Sequence, residues 1–393
     1  MLNYDICVIG GAGHVGLPLS LAFADKGNRV VIYDINKAGT DRIANGIMPF
    51  AENGCEVLLK NNINKNLFVS DDMELIKESR FIIVVIGTPV DKHLNPDFHS
   101  MLDYFEKLLP YLRNDHVIII RSTVYPGTTE KIRKFLRQTY PGIEVCFCCE
   151  RILEGRSMEE LYSLPQIIAG FSDEAVKTVS ALFRLLTEEI LVTGVIEAEL
   201  AKLFTNSWRY IQFATANQFY IIAEEYGADF YETYHAMTYN YPRAKSFPKP
   251  GFAAGPCLFK DTMQLSAFYN NNFFLGHSAM LINEGLPNFI VKKLKMKHNL
   301  KEKNVGILGM AFKAESDDKR ESLSYKLKKI VEFESKAVYC SDPYIHDEGF
   351  LKEEELIDKS DIVIIGAPHM IYKDLDYRGR VIVDIWDHIG KNQ

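Results

Sequence analysis

At 393 residues the chain has room for two or three domains, each able to bury its own core. Its 47% hydrophobic and 25% charged content is that of an ordinary globular protein. A formal net charge of -7 argues against a nucleic-acid partner, although a local Lys/Arg cluster could still meet a polyanionic ligand. The first residues, MLNYDICVIGG, run directly into an apolar strand pattern, so no signal peptide is expected. No run approaches the roughly eighteen apolar residues of a membrane span, so no membrane partner is expected. Seven scattered cysteines suit a reducing cytoplasm. Cys146 and Cys149 formally make a CxxC, but no second pair at zinc-site spacing follows. Buried strand cysteines are therefore expected there, and no metal.

Continuous Val/Ile-rich runs alternate with helix-length segments through the first 170 residues or so. Strands are expected at Tyr4–Ile9, Arg29–Tyr33, Phe81–Ile86, His116–Arg121, Glu144–Cys148 and Gln166–Ala169, in a parallel sheet covered on both faces. From Glu197 the segment EAELAKLFTNSWRYIQFATANQFYIIAEEYG reads as one long helix with Gly227 as its C-cap. About thirty helical residues span roughly 45 Å, enough for a dimer seam. Further helices continue to about Lys297, interrupted by YPRAKSFPKPGFAAGPC, and Lys297–Lys303 reads as a polar linker. NVGILGMAF, KAVYCSDPY, DIVIIGAPH and RVIVDIW then promise four more parallel strands. The fold class is α/β: two doubly wound Rossmann-like domains joined by a helical central domain, with boundaries at 1–196, 197–298 and 299–393.

Gly11, Gly13 and Gly16 form a GxGxxG, with His14 and Val15 between them, after the strand DICVIG and ahead of an apolar helix. Gly11 is expected to permit the tight turn, Gly13 to let the backbone approach a pyrophosphate, and Gly16 to allow helix–strand packing. The next strand ends in Asp34, suited to the ribose hydroxyls and repulsive to a 2′-phosphate. No Arg or Lys directly follows it, so the expected cofactor is NAD. Gly87-Thr88-Pro89 and Ser122-Thr123 leave strand ends where the nicotinamide and its ribose should lie, though either could be a helix cap. Cys257 follows a Gly/Pro-rich loop and precedes Lys260-Asp261, where Lys260 would favour the thiolate. On those facts a nucleophilic and a structural role both stay open.

The ordered series VIGGAGHVG, the GTP loop, RSTVYPGTT, CCERILEG, EAELAKLFTNSWR, YPRAKSFPKPGFAAGPCLFKD and GMAFKAESDDKRES resembles the UDP-glucose/GDP-mannose dehydrogenase family of nucleotide-sugar 6-dehydrogenases, from end to end. The resemblance implies a four-electron oxidation of a UDP-sugar C6 alcohol to a carboxylate, with two NAD accepting hydride in turn. A cysteine holds the aldehyde as a thiohemiacetal and then as a thioester that water hydrolyses. It makes Cys257 the nucleophile, and Lys202 the group that stabilises an oxyanion or assists proton removal. Asn206, one turn on, is the amide beside it. Glu150 becomes the residue that places the hydrolytic water, with Asp261 and Thr123 around it, and Glu154 lies near the nicotinamide. Lys260 and Arg320 are implied as further cofactor contacts. Ile152, Leu153, Gly251, Phe252, Phe312 and Lys313 are implied substrate contacts, and Arg243 one that crosses a homodimer interface.

The chain departs from the family pattern at three places. His14 replaces an aromatic, Cys149 stands where a proline usually precedes ERxxxG, and GPCLFKD matches neither the glucose/mannose nor the N-acetylhexosamine form of the cysteine motif. The expected substrate is therefore UDP-glucose or a UDP-N-acetylhexosamine. A two-electron hydroxyacid-type dehydrogenase and a non-catalytic NAD- or nucleotide-sugar-binding module are the competing readings.

Overall fold

The computed structural model describes residues 3–88, 98–252 and 255–390; Pro89 of the GTP loop and the two alanines of GFAAGPC lie outside them. The chain forms two compact units, Met1–Phe204 and Thr205–Gln393. The first is built on β1 (Tyr4–Ile9), β2 (Val30–Tyr33), β3 (Leu67–Ser70), β4 (Ser79–Val84), β5 (Val117–Ile120), β6 (Glu144–Phe147), β7 (Gln166–Gly170) and β8 (Ile190–Val192). They form one sheet in the order β3-β2-β1-β4-β5-β6-β7-β8. Helices α1 (Gly16–Asp25), α2 (Lys37–Ala44), α3 (Cys55–Asn62), α4 (Phe98–Leu108), α5 (Thr128–Leu136), α6 (Ser157–Ser163) and α7 (Asp173–Phe183) connect the strands. Two apolar clusters, one on each face, bury the Val/Ile side chains almost completely, which is why these strands lack alternation.

The expected strands lie within two residues of their predicted places; β4 starts two residues early, at Ser79. Two strands were not expected. β3 is only LFVS with a mostly half-buried surface, and β8 is three residues at an edge, two of them exposed. The sheet also departs from the expected all-parallel arrangement, because β7 runs antiparallel to β6 while β8 is parallel to β7. The chain therefore leaves β6 and enters β7 at the same sheet edge, where β1, β4, β5 and β6 have their carboxyl ends, while α6 between them packs against α1 and sets Met158 and Leu161 into a face cluster. Ligands bind at that edge in sheets of this kind.

The division between the units falls within α8 (Val195–Glu225), a 31-residue helix that begins two residues before the expected Glu197. Gly227 closes its end with φ +71°. The second unit continues with α9 (Phe230–Thr238), α10 (Leu258–Phe268) and α11 (Phe274–Lys297). The expected linker after Lys297 is short and partly internal, because Leu300 within it is buried. Strands β9 (Asn304–Leu308), β10 (Ala337–Ser341), β11 (Ile362–Ile365) and β12 (Val381–Val383) then pair, all parallel, in the order β10-β9-β11-β12, with α12 (Leu323–Glu334) and α13 (Glu353–Lys359) between them. Among the described residues no helix is long and apolar enough to cross a membrane.

Candidate functional site

In the first unit the candidate residues begin at the turn after β1. The left-handed residue is Gly10, φ +79°, one position before the expected Gly11; a Cβ there would lie 2.4 Å from the Val85 carbonyl oxygen. Gly11 rests on the Ile32 side chain, and a Cβ on Gly16 would lie 2.4 Å from the Gly10 oxygen, so α1 can approach β1 only with glycine there. A Cβ on Gly13 would meet only the Gly10 oxygen, at 3.6 Å, which leaves the outer side of the turn open. Val15 precedes the first turn of α1, and its carbonyl accepts from Leu19 N–H. At the end of β2, Asp34 accepts from Ala12 N–H (2.9 Å) and Asn36 N–H (2.8 Å) while staying partly exposed. An open glycine turn, a helix N-terminus and a reachable carboxylate together fit a dinucleotide's pyrophosphate and ribose. His14 stacks on Phe50, ring centroids 3.9 Å apart, and its Nδ1 lies 2.9 Å from Glu154. The turn and the ERILEG segment are thereby joined.

Neighbouring strand ends converge on the same edge. Thr88 Oγ1 donates to the Thr123 carbonyl (2.6 Å) and Ser122 Oγ to that of Ile86 (2.7 Å), tying together the two hydroxyl loops. Glu150, past the end of β6, is buried. One of its oxygens accepts from Arg121 Nε (2.7 Å), the other from the N–H groups of Arg151 (2.7 Å) and Ile152 (2.9 Å). Leu153 N–H donates to Glu160 (2.5 Å). Burial pushes the Cys149 thiol above its ordinary value, and Lys202 is the foremost of the cations pulling it down, which puts the Lys202 charge close to the end of β6.

Three further residues of this unit hold the candidate residues in place without a local sequence pattern that marks them. Arg121, 2% exposed, also donates to the Cys148 carbonyl and to Gln166. Its signal was a lone charge ending the apolar run VIIIR. Glu199, one turn before Lys202, accepts from Gly127 N–H (2.6 Å) and from Thr129 N–H and Oγ1 (2.9 and 2.6 Å). It thus caps α5 from α8, and burial raises its carboxyl despite those bonds. Glu52 accepts from Gly155 and Ser157 N–H, both at 2.9 Å, and holds the far end of the ERILEG segment. Its partners lie about a hundred residues away, beyond any local pattern.

The second unit carries the cysteine. Six of the seven cysteines are buried, Cys146 and Cys149 among them, and Cys257 alone is exposed. It stands at the N-terminus of α10, where the helix dipole favours a thiolate. Its carbonyl accepts from Asp261 N–H (2.9 Å), so Asp261 lies one turn along the same face. Asp261, 1% exposed, accepts from Asn206 Nδ2 (2.5 Å) and lies 3.2 Å from Lys260 Nζ. Before Cys257, the described residues Gly251, Phe252 and Gly255 are held on both sides of the two alanines. Gly251 exchanges hydrogen bonds with Asn217 at 2.8 and 3.1 Å, Phe252 is buried, and Gly251 and Gly255 press against the Trp386 and Phe312 rings with no room for a Cβ. Lys313 Nζ lies 5.6 Å from the Phe312 ring, and Arg320 grips Asp318 through Nε and Nη2. Arg243 is exposed and turns to its own neighbour, donating to Tyr241 Oη (2.6 Å).

Models of the UDP-glucose/GDP-mannose dehydrogenase family match almost the whole chain: the NAD binding domain at residues 4–187, the central domain at 196–284 and the UDP binding domain at 306–391. A UDP-N-acetyl-D-mannosamine dehydrogenase of Pyrococcus horikoshii is 30% identical over 398 residues, covering 97% of this chain and 91% of its own. One of Methanocaldococcus jannaschii is 31% identical, covering 94% and 87%. Among solved structures, UDP-D-ManNAc dehydrogenase from Pyrococcus horikoshii matches with a TM-score of 0.90 at 28% identity, covering 98% of this chain and 100% of its own. A UDP-glucose dehydrogenase from Pyrobaculum islandicum matches with a TM-score of 0.88 at 25% identity, covering 97% and 94%.

Proposed function

Since the chain belongs to the UDP-glucose/GDP-mannose dehydrogenase family, an NAD-dependent nucleotide-sugar dehydrogenase family, we propose that it oxidises the C6 hydroxymethyl of UDP-N-acetyl-D-mannosamine to the carboxylate. The names of the relatives support that sugar, and UDP-glucose is the second reading, supported by the Pyrobaculum match. By segment, residues 1–196 hold NAD, 197–298 carry the nucleophile and the subunit contact, and 299–393 hold the nucleotide.

The observation that carries the mechanism is Cys257, the one exposed thiol, at a helix N-terminus one turn from buried Asp261. NAD, when bound by the Gly10–Gly16 turn and Asp34, supplies the hydride acceptor for each oxidation. Lys202 and Asn206 take up the C6 oxygen, the amine easing proton removal from the alcohol. The Cys257 thiolate adds to the aldehyde carbon, and the new oxyanion gains a proton as a thiohemiacetal. Loss of a second hydride leaves a thioester. Water positioned by Glu150, with Asp261 and Thr123 beside it, adds to that carbon; the C–S bond breaks and thiolate returns. Covalent capture keeps the aldehyde in place between the two oxidations.

Two further assignments follow. Phe204, Trp208, Phe219 and Ile222 of α8 are all exposed and fall within about 60° of one another on the helix, an apolar stripe that supports a homodimer seam. Seven cysteines, none of them in a disulfide, support a reducing compartment, the cytoplasm.

The test is a panel of UDP- and GDP-sugars with NADH counted and the product weighed. Two NADH per sugar and a uronic acid are expected; one NADH per sugar would establish a two-electron enzyme instead. Cys257→Ser should abolish uronic acid formation while keeping NAD binding, and wild-type product from that variant would force a hydrated-aldehyde route.

A further inference from the structure

The second unit repeats the logic of the first. β9 is followed at once by Gly309 (φ +93°), whose N–H donates to the last residue of β10 at 2.9 Å, just as Gly10, after β1, donates to the last residue of β2 at 2.9 Å. The residue after β10 is Asp342, in the place that Asp34 holds after β2. There the likeness stops. Asp34 stays within reach of a ligand, whereas the Asp342 side chain is fully buried and all its capacity is spent inward. One oxygen accepts from Met310 and Ala311 N–H (2.6 and 2.9 Å) and from His369 Nε2 (3.2 Å); the other accepts from Tyr344 and Ile345 N–H (2.8 and 3.0 Å). Burial alone would raise its carboxyl, but His369 and these donors outweigh it and hold the group below the usual range.

His369 is itself wholly buried, and its proton is placed by its neighbours. Nδ1 accepts from Glu315 N–H (3.0 Å), so the ring proton sits on Nε2 and points to Asp342. Glu315 is a left-handed residue, φ +52°, a conformation that disfavours any residue with a Cβ. Its carboxylate is pinned as well, accepting from Met370 N–H (2.7 Å) and Tyr344 Oη (2.5 Å). Lys313 and Phe312 lie two and three residues before Glu315, and the Phe312 ring rests directly on Gly255, two residues before Cys257.

We infer that Asp342, His369 and Glu315 are positioning residues that set the 310–322 loop for the nucleotide and, through Phe312 on Gly255, set the Cys257 loop for the sugar. An acid that would otherwise read a dinucleotide ribose is turned into a clamp, so nucleotide binding and nucleophile placement share one support. This rests on the proposed reading of the 310–322 loop as nucleotide-binding.

The experiment uses the full chain with UDP as the probe. Direct UDP binding, NAD binding and the rate of Cys257 alkylation by iodoacetamide, with and without UDP, are measured for wild type, His369→Gln and Glu315→Gly. In wild type UDP should slow alkylation. In both variants UDP affinity should fall by about tenfold, the loss of one buried hydrogen bond, and alkylation should stop responding to UDP while NAD affinity stays unchanged. Glu315→Gly suits the left-handed backbone, so its failure cannot be assigned to strain. If it keeps wild-type UDP affinity and response, the inference is overturned. Should His369→Gln not fold, Tyr344→Phe removes only the contact to Glu315 and must show the same direction of change; wild-type behaviour from it counts equally against the clamp. A wild type that binds UDP and shows the coupled alkylation, yet oxidises no UDP-sugar, would overturn the proposed function and leave the clamp standing.

Discussion

Arg121 is the largest fully buried side chain among the described residues, and its charge is met by Glu150, two neighbouring oxygens and the Phe183 ring at 5.2 Å. Removing one member of such a pair leaves the other charge stranded. Arg121→Met should cost about 3–5 kcal/mol in urea unfolding, whereas Glu150→Gln, which keeps its acceptor oxygen, should cost less. In turnover the order should reverse. Glu150→Gln should slow thioester hydrolysis about 10²–10⁴-fold and accumulate an acyl adduct on Cys257, visible by intact mass. At the cofactor turn, Asp34→Ala should weaken NAD binding and narrow the gap to NADP; a wild type preferring NADP tenfold would sink the ribose argument. A third residue sets a pH response apart from chemistry. Burial, then Arg113, lowers His116 from 6.5 to about 4. The unfolded chain therefore binds a proton that the native one refuses. Stability is full above pH 6.5 and falls as pH drops toward 4, by about 3 kcal/mol in all. His116→Asn should flatten that slope in urea midpoints measured across the interval.

At the level of elements, the long helix, β1 and the glycine turn could be read from sequence because each is decided locally, by a run of apolar residues or a spacing. What could not be read is decided by distant partners. The sense of β7 depends on which edge the chain returns to, not on QIIAG itself, and β8 is too short and exposed to leave a pattern. Cys257, Asp261 and Asn206 were named from their motifs, and two of the three are joined by a hydrogen bond. Glu199 escaped notice because a glutamate in a helix looks like a solvated charge. Its three bonds anchor α8 to the start of α5, one turn from Lys202. Glu199→Ala should therefore lower stability by about 1–3 kcal/mol, with turnover falling through Lys202 more than NAD affinity does. Equal losses in both would mean that the cap serves the fold alone.

For the molecule as a whole, the apolar stripe on α8 makes association a measurable quantity. Trp208, 60% exposed in the single chain, is its most informative member. Wild type should sediment as a dimer or higher, and Trp208→Glu should shift it toward monomer with an unchanged far-ultraviolet spectrum. A fully active monomeric wild type would remove the seam from the account. The return of the chain through β7 has its own consequence. A parallel crossover must carry its segment across a sheet face and is held to a given length. Residues 148–165 begin and end at one edge, in adjacent strands, and touch the sheet face only through Met158 and Leu161 of α6 and the partly buried Tyr162 beside them. On the proposed function this segment lines the sugar, so its other residues can vary without moving the strand register as long as Glu150, Met158 and Leu161 keep their buried places. Grafting the corresponding segment of the Pyrobaculum relative should move the melting temperature by only about 4 °C or less, while shifting which UDP-sugar is preferred.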